Sequence, residues 1–279
     1  MNISYVDFWG GFNPDDFWFS SYFRNRYKKE FNFNSNPEDA DIIIGSCFGN
    51  SISSVKNNKA VKIFYTGENQ RPNLTQYDYS ITFDYDDFGD RNVRLPLWYL
   101  YVNWWGDECL KDNISLDEAN RKFDPVEVYN RENFCCIMIG NPVQNRIEVA
   151  QSLNTYKPVQ GYGAVFNNRF TGKKLDLLQN FRYNICFENS LYDGYHTEKL
   201  LEAKLAGCIP IYYGPDSASL DFNKSCYINY KDFGSPSQLT EYIKEIDEDV
   251  EKFIQIASQP LFIENPTFAH LDNFFDRFM

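Results

Sequence analysis

The chain has 279 residues, of which 43% are hydrophobic and 18% aromatic, and its formal net charge is −12. This length allows one large domain or two of ordinary size, each with a substantial core, and the acidic balance argues against binding to nucleic acid or to anionic lipid. No apolar run reaches the roughly 18 residues that a membrane span requires.

The amino terminus, MNISYVDFWGGF, has neither a basic n-region nor an apolar h-region. It predicts a first strand, not a signal peptide or an anchor. The seven cysteines are an odd number and several lie in apolar runs, which indicates reduced thiols in a reducing, cytoplasmic compartment. No spacing of cysteine and histidine indicates a zinc site.

Short apolar runs predict the strands. In chain order they are Ile3–Val6, Ile42–Ile44, Val61–Tyr65, Tyr79–Phe83, Phe134–Ile139, Val159, Tyr183–Phe187, Ile209–Tyr213 and Tyr227–Tyr230. Several are continuously apolar, as in strands that are covered on both faces. Helices are predicted between them, one with a cap and an N1 proline at Asn141-Pro142, one over Thr197–Ala206 and one from Ser235-Pro236.

Strands that alternate with helices predict a parallel α/β architecture. The polar stretch from residue 103 to 133 separates the strands into two groups, so we expect two Rossmann-like domains with a cleft between them. Their predicted bounds are residues 1–135 and 136–279, and the last helical segment can pack back on the first domain. In such sheets ligands bind beyond the carboxyl ends of the strands.

The stretch FENSLYDGYHTEKL places Lys199 in the first turn of a helix that Thr197 is expected to cap and Gly207 to end. A cation there opposes the helix dipole by a few tenths to about 1 kcal/mol. The amides of a helix start bind anions, so an anion such as a diphosphate would explain the lysine, with Tyr195 and Asn189 as further donors. The alternative is an ordinary connection whose lysine points to solvent.

Two more charged residues are candidates. Glu68 follows the run Val61–Tyr65 closely, at a strand's carboxyl end, where it could act as a general base, although an exposed loop glutamate would look the same. Arg146 is expected just beyond the first turn of the Asn141-Pro142 helix, where a guanidinium can bridge two phosphate oxygens. The alternative for Arg146 is a surface helix arginine.

Two other motifs carry less weight. The acids of Asp84-Tyr-Asp86-Asp87 resemble a metal-binding Asp-x-Asp, but a solvated turn is favoured over a metal site, since a hard cation needs several convergent oxygens. The aromatic pair in Trp104–Glu108 could form an exposed sugar platform, and aromatic packing between the two domains is the favoured alternative.

The segment FENSLYDGYHTEKLLEAKLAGCIPIYYG strongly resembles the donor-binding signature of the α-1,3/4-fucosyltransferases. The shared pattern is Phe-Glu-Asn, then Tyr-x-Thr-Glu-Lys, then Gly-x-x-Pro-x-Tyr-x-Gly. The segments FYTGEN, FDYDDFGDRNVRLPLWY and LFIENPTF resemble bacterial, Helicobacter-type members of the family. The resemblance extends over most of the chain from about Val61 onward.

The resemblance implies a GT-B fold and an inverting, metal-independent transfer of L-fucose from GDP-fucose. The implied acceptor is the 3-hydroxyl of N-acetylglucosamine in an N-acetyllactosamine-type glycan, giving a Lewis x type product such as those of bacterial lipopolysaccharide O-antigens. By match, Glu68 takes the general-base position. The remaining matched positions face GDP-fucose and comprise Arg146, Glu188, Asn189, Tyr195, Glu198 and Lys199, where Glu198 would stabilise positive charge developing on the sugar.

Several alternatives stay open at this stage. The base is either Glu68 or Glu198, the acceptor is type 1 or type 2, and the linkage is 1,3 or 1,4. A transferase for another GDP-sugar, or an inactive glycan- or nucleotide-binding protein, would share the fold. Bacterial relatives often carry a basic amphipathic tail, so the expected location is cytoplasmic with peripheral contact at the inner membrane, a contact that this chain does not encode.

Overall fold

The structure is a computed structural model that describes residues 1–279. Its contacts divide the chain into two compact units, one of residues 1–119 and 266–279 and the other of residues 120–265. The expected boundary after residue 135 differs from this division, because it falls inside the strand Asn133–Met138. The helix Pro125–Tyr129, which precedes that strand, already packs against the helix Val250–Ala257 of the second unit.

The chain order of the elements alternates between strands and helices, joined by short 3-10 turns. The strands are β1 (Ile3–Val6), β2 (Ile42–Gly45), β3 (Val61–Tyr65), β4 (Tyr79–Thr82), β5 (Asn92–Arg94), β6 (Val102–Asn103), β7 (Ile114–Ser115), β8 (Asn133–Met138), β9 (Val159–Tyr162), β10 (Phe181–Phe187), β11 (Ile209–Tyr213) and β12 (Ile228–Asn229). The helices are α1 (Trp18–Arg26), α2 (Leu116–Asn120), α3 (Pro125–Tyr129), α4 (Gln144–Asn154), α5 (Lys174–Leu178), α6 (Glu198–Leu205), α7 (Ala218–Asp221), α8 (Pro236–Asp247), α9 (Val250–Ala257) and α10 (Ala269–Phe275).

The first unit is built on a parallel sheet with the strand order β1-β2-β3-β4-β5. The three isoleucines of β2 are fully buried, as expected for a strand covered on both faces. Because successive side chains of a strand point to opposite faces, Phe64 packs with Ile43 in one core cluster, while the neighbouring Tyr65 contacts Phe17 and Phe19.

The carboxyl-terminal segment belongs to the first unit. Phe275 of α10 is fully buried and its ring centroid lies 4.7 Å from that of Phe23 in α1. Phe268, just before α10, lies 6.0 Å from Trp18. Asp272 accepts a hydrogen bond from the Tyr22 hydroxyl at 2.8 Å. The last helix is therefore an integral part of the first unit's aromatic core.

The second unit carries a parallel sheet with the strand order β12-β11-β10-β8-β9. Apolar residues of α4, α8 and α9 pack on the sheet, among them Val149, Leu153, Leu239, Ile243 and Phe253. Helix α6 contacts β10 and β11. The chain leaves β8 for β9 on one side and leaves β10 for β11 on the other, so a topological switch point lies between β8 and β10.

The predicted α/β class is confirmed, and each expected strand is present with bounds shifted by at most a few residues. The expected start of α4 is wrong: the helix begins at Gln144, and Val143 at the N-cap position makes no side-chain capping bond. No helix combines the length and the apolar character needed to cross a membrane.

Candidate active site

The loop after β10 is fixed by the carboxylate of Glu188. Its Oε1 accepts a hydrogen bond from the backbone N–H of Thr197 at 2.9 Å, and its Oε2 accepts one from the Thr197 hydroxyl at 2.7 Å. Thr197 occupies the N-cap position of α6, but its side chain makes no capping hydrogen bond. The expected threonine cap is therefore wrong in its chemistry, because the hydroxyl turns towards Glu188 instead.

The same loop is braced from α7. The buried ring of His196 places Nδ1 2.7 Å from Oδ2 of Asp221 and Nε2 3.2 Å from the hydroxyl of Ser217. Ser217 also accepts a hydrogen bond from the backbone N–H of Gly194 at 3.0 Å. These contacts hold the backbone on either side of Tyr195, whose side chain is buried.

Helix α6 ends at a left-handed residue, as expected. Gly207 has a φ of +84°, the conformation that glycine commonly adopts just after a helix. A Cβ at this position would lie 2.8 Å from the ring of Phe123. Both the backbone conformation and the close approach therefore require glycine here.

Lys199 lies in the first turn of α6 and points inward. Its Nζ donates to the hydroxyl of Thr197 at 2.7 Å and lies 3.2 Å from Glu188 Oε2 and 3.3 Å from Glu198 Oε1. Burial lowers the pKa of Lys199, but the two carboxylates outweigh burial and raise the pKa above its usual value. Lys199 is therefore a cation that its neighbours fix in place, not a solvated surface lysine.

Arg146 is buried, with 2% of its surface exposed. It lies within the first turn of α4, not beyond it, because the helix begins at Gln144. One guanidinium nitrogen donates to the carbonyl oxygen of Phe187 at 2.7 Å and to Oδ1 of Asn189 at 2.6 Å. The buried Nε has no hydrogen-bond acceptor. Burial lowers the pKa of Arg146, and the nearby charge of Glu188 opposes this shift.

A cavity of about 400 Å³ opens at the switch point between β8 and β10; we call it the second-unit cavity. It is the place where ligands bind in doubly wound sheets. Its lining comprises Met138, Ile139, Gly140, Asn141, Arg146, Lys174, Asn184, Ile185, Cys186, Phe187, Asn189, Glu198 and Lys199. Three basic side chains and one carboxylate thus line the same cavity, a composition that suits a phosphorylated ligand.

The structure brings together four of the predicted site residues in this lining, namely Arg146, Asn189, Glu198 and Lys199. Glu188 does not line the cavity, but its carboxylate lies 3.2 Å from the ammonium of Lys199. Tyr195 lies near Arg146 and opposes the lowering of the Arg146 pKa by burial. Sequence reasoning missed Lys174. Lys174 lies in the first turn of α5 as Lys199 lies in the first turn of α6, but this likeness alone does not show that the two turns meet.

Glu68 lies in the first unit, three residues after β3 ends at Tyr65. The residue is exposed, and its backbone N–H donates to the hydroxyl of Thr66 at 2.9 Å. A second cavity of about 310 Å³, which we call the first-unit cavity, opens beside it. Its lining comprises Trp9, Asp16, Phe17, Trp18, Phe48, Tyr65, Gly67, Glu68, Leu97, Leu100, Tyr101, Leu110 and Asn113. The carboxylate therefore borders a largely aromatic pocket, which sequence reasoning did not predict.

The acids of the Asp84-Tyr-Asp86-Asp87 motif turn to separate partners. Asp84 is buried, with Oδ1 3.0 Å from Nε of Arg71. Asp86 and Asp87 accept hydrogen bonds from backbone N–H groups two residues further on, which closes a turn. No group of three or more His, Cys, Asp or Glu side chains in the structure could hold a metal ion.

The two tryptophans of Trp104–Glu108 pack inside the first unit. Trp104 donates a hydrogen bond from Nε1 to the carbonyl oxygen of Tyr99 at 2.7 Å, and its ring lies 5.2 Å from that of Phe268. Trp105 lies 5.3 Å from Trp18. Both rings are only partly exposed, so they secure the carboxyl-terminal segment and do not form a free platform.

Comparison with known proteins places these sites in a family. Residues 3–101 match the α-(1,3)-fucosyltransferase FucT amino-terminal domain, and residues 128–257 match the carboxyl-terminal domain of glycosyltransferase family 10 (fucosyltransferase). The α-(1,3)-fucosyltransferase FucT of Helicobacter pylori is 30% identical over 95% of this chain and 60% of its own length. The chain thus spans less than two thirds of that relative.

Two further comparisons agree. The 4-galactosyl-N-acetylglucosaminide 3-α-L-fucosyltransferase 9 of Bos taurus is 31% identical over 46% of this chain and 37% of its own length. A crystal structure of an α1,3-fucosyltransferase with GDP-fucose superposes with a TM-score of 0.74 at 26% identity, over 99% of this chain and 89% of that one. The chain therefore belongs to glycosyltransferase family 10, the fucosyltransferase family, and has its GT-B fold.

Proposed function

We propose that the chain transfers L-fucose from GDP-fucose to the 3-hydroxyl of N-acetylglucosamine in an N-acetyllactosamine-type glycan, with inversion and without a metal. The observation that carries this proposal is the second-unit cavity, where Arg146 and Lys199 meet at the switch point of a family-10 chain. A solved relative with GDP-fucose supports the donor. The galactosyl-N-acetylglucosaminide in the bovine relative's name supports the acceptor and a Lewis x type product.

The donor's diphosphate would bind at the start of α6. The amides of the first helical turn and the ammonium of Lys199 both offer positive charge there. The guanidinium of Arg146 is fixed by Phe187 and Asn189, so it would be presented to a phosphate without a large entropic loss. Glu198, which lines the same cavity, would face the fucosyl group.

The acceptor would bind in the first-unit cavity. Trp9, Phe48 and Tyr101 line it and are exposed to solvent, and aromatic faces of this kind suit the apolar face of a sugar ring. Glu68 borders the same cavity. A carboxylate within reach of the bound sugar's hydroxyl can act as the general base.

The proposed reaction is a single displacement. Glu68 takes the proton of the acceptor hydroxyl while the hydroxyl oxygen attacks the anomeric carbon of fucose. The bond from that carbon to the diphosphate oxygen breaks on the opposite face, and GDP leaves with the electron pair. Lys199 and Arg146 would stabilise the departing diphosphate, so the reaction needs no second carboxylate as an acid, in contrast to glycoside hydrolysis.

The test is a product analysis. The chain is incubated with an N-acetyllactosamine acceptor and either GDP-fucose or GDP-mannose, with and without a chelator, and the products are analysed by mass spectrometry and by NMR of the new anomeric proton. We expect one added deoxyhexose, α-linked to the 3-position of N-acetylglucosamine, from GDP-fucose alone and at an unchanged rate with the chelator.

Other products would replace this proposal. Transfer from GDP-mannose would indicate a transferase for another GDP-sugar. Binding of GDP without any transfer would indicate an inactive nucleotide-binding member of the family. Loss of transfer with the chelator would overturn the metal-free mechanism.

We also propose that the protein works in the cytoplasm. All seven cysteines are free thiols, and five of them are buried, as is typical of proteins in a reducing compartment. Cell fractionation with thiol labelling checks this location. Recovery of the native protein from an oxidising compartment, with paired cysteines, would contradict it.

A further inference from the structure

A second ion pair borders the second-unit cavity. Lys174, the first residue of α5, pairs with Glu202 on α6, and α5 packs against α6. Glu202 lies four residues after Glu198, and residues with this spacing share one face of a helix. Lys174 and Glu198 both line the cavity. The two carboxylates of α6 and the ammonium of Lys174 therefore belong to one wall.

The pKa values of the two carboxylates, Glu198 and Glu202, are shifted in opposite directions. Burial raises the pKa of Glu198, but Lys199 and Lys174 outweigh burial and bring the pKa below its usual value. Burial also raises the pKa of Glu202, and in that case the pairing with Lys174 does not reverse the shift. The acid that lines the cavity is thus the one whose ionised form its surroundings favour.

Lys174 is itself held as a cation. Burial lowers its pKa, but Glu202 and Glu198 outweigh burial and raise the pKa. The other charged groups around Glu198 are Lys199 on α6, Arg146 on α4 and Glu188 after β10. The charged residues around Glu198 thus lie on α4, α5 and α6 and in the loop after β10.

The other two cations, Lys199 and Arg146, have further hydrogen-bonding partners. Lys199 is shared among Glu188, Glu198 and Thr197, and Arg146 is bonded to Phe187 and Asn189. Under the proposed function both are drawn towards the diphosphate when GDP-fucose binds. Lys174 is bonded to Glu202, away from that role, so its field on Glu198 persists while the donor is bound.

We propose that Lys174, held in place by Glu202, is a positioning residue that keeps Glu198 ionised against the fucosyl group while Lys199 binds the diphosphate. This inference rests on the proposed function, in which Glu198 faces the sugar of GDP-fucose. As the bond between the anomeric carbon and the diphosphate oxygen breaks, positive charge develops on the sugar, and a fixed carboxylate beside it lowers the barrier.

The direct test is a titration of Glu198 in the full chain, labelled with 13C at the glutamate carboxyl carbons. The resonance is assigned by its loss in Glu198→Gln. Removing the cation in Lys174→Met must move the titration to higher pH, since an opposite charge favours the ionised carboxylate. Glu202→Gln removes the competing negative charge but keeps a side-chain oxygen that can still accept a hydrogen bond from Lys174, so it must move the titration to lower pH. Lys174→Arg keeps the charge and should restore the original titration.

A kinetic arm links the titration to turnover. With GDP-fucose as the varied substrate, Lys174→Met should lower kcat/KM on the order of tenfold, because a less ionised Glu198 stabilises less of the positive charge that develops on the sugar. GDP affinity should change little, and Lys174→Arg should recover most of the loss. The control is Lys173→Met, which removes an exposed lysine next in the chain and should behave like the unaltered protein.

Opposite shifts in the two variants support the inference, because a merely structural pair would not move the titration in opposite directions. An unmoved Glu198 titration in both variants overturns it, and Glu202→Gln decides the matter if Lys174→Met does not fold. Absence of any fucose transfer by the unaltered chain would instead overturn the proposed function, which the titration does not use as a readout.

Discussion

Lys199 lies in the first turn of α6, where the helix dipole disfavours a cation. From the sequence we expected a ligand anion to explain this position. The structure supplies anions from the chain itself, because Glu188 and Glu198 lie 3.2 and 3.3 Å from the ammonium. The position of Lys199 alone therefore does not require a phosphate ligand. What indicates a donor site is the second-unit cavity, which Lys199 lines.

Replacing Lys199 tests that argument. Lys199→Ala should weaken GDP binding by about tenfold or more, because one charge-assisted contact contributes about 1.5–3 kcal/mol. Isothermal titration calorimetry measures the dissociation constant. The matched control is Lys224→Ala, an exposed lysine of the same unit, which should leave it unchanged. Equal affinities for all three proteins would remove Lys199 from the donor site.

Glu68 is tested by an isosteric change. Glu68→Gln removes the proton acceptor, so kcat should fall by about 10²–10⁴-fold, the usual contribution of a general base, while GDP binding stays the same. Steady-state assays compare it with Glu198→Gln and with Glu30→Gln, which alters an exposed acid of the same unit. Near-normal turnover in Glu68→Gln, with a larger loss in Glu198→Gln, would transfer the base role to Glu198.

Individual site residues were predictable where they follow a strand or open a helix. Arg146 was placed in the right helix, but its burial came from the fold, since its partners Phe187 and Asn189 lie 41 and 43 residues away in sequence. Lys174 and Glu202 were missed for the same reason. Their pairing depends on how α5 packs on α6, and no local pattern encodes that contact.

At the scale of elements, continuous apolar runs identified most strands of both sheets, and the spacing of apolar residues identified α4, α6 and α8. Of the three expected caps, only Ser235 of α8 makes its capping hydrogen bond. Helix α1 was missed because its first six residues are buried, including the polar Ser20 and Ser21, so its burial does not follow the polarity of its sequence. Strand β5 was missed because Asn92–Arg94 is polar and forms a strand through its pairing with β4. In each case tertiary contacts outweigh local preference.

Asp247 at the end of α8 shows how one side chain joins several elements. Its side chain is fully buried, with oxygens 2.6 Å from Lys157 Nζ and 2.7 Å from an Arg182 guanidinium nitrogen. Asp247→Ala should destabilise the protein by about 1.5–3 kcal/mol, because the partly buried Lys157 and Arg182 lose a charged hydrogen-bond acceptor. Urea unfolding followed by circular dichroism measures the loss. Glu245→Gln, an exposed acid on the same helix, should unfold with the unaltered protein, and a matching Asp247→Ala curve would contradict this role.

At the scale of the whole molecule, the first unit combines two segments that are far apart in sequence. Residues 266–279 complete a unit that otherwise ends at residue 119. Deleting residues 266–279 should uncover the rings of Phe23 and Trp18, which pack on Phe275 and Phe268. We expect a lower melting temperature and binding of a hydrophobic dye. The control is deletion of Met279 alone, and an unchanged melting temperature in the longer deletion would show that the first unit folds without this segment.

The sequence predicted a two-part α/β molecule whose last helical segment can pack back on the first domain, but not which residues that segment contacts. Composition and periodicity report on each strand and helix, whereas the assignment of α10 to the first unit depends on contacts across some 250 residues, such as the bond from Tyr22 to Asp272. The aromatic lining of the first-unit cavity has the same origin, because Trp9, Phe48 and Tyr101 come from three segments that are well separated in sequence.

The charges around the second-unit cavity cancel. Lys174, Lys199 and Arg146 are balanced by Glu188, Glu198 and Glu202, in a chain whose formal net charge is −12. An anionic nucleotide thus approaches against the field of the whole protein and gains attraction only at contact range. Added salt should then quicken the encounter by screening the repulsion, the reverse of what a basic nucleotide-binding surface would show.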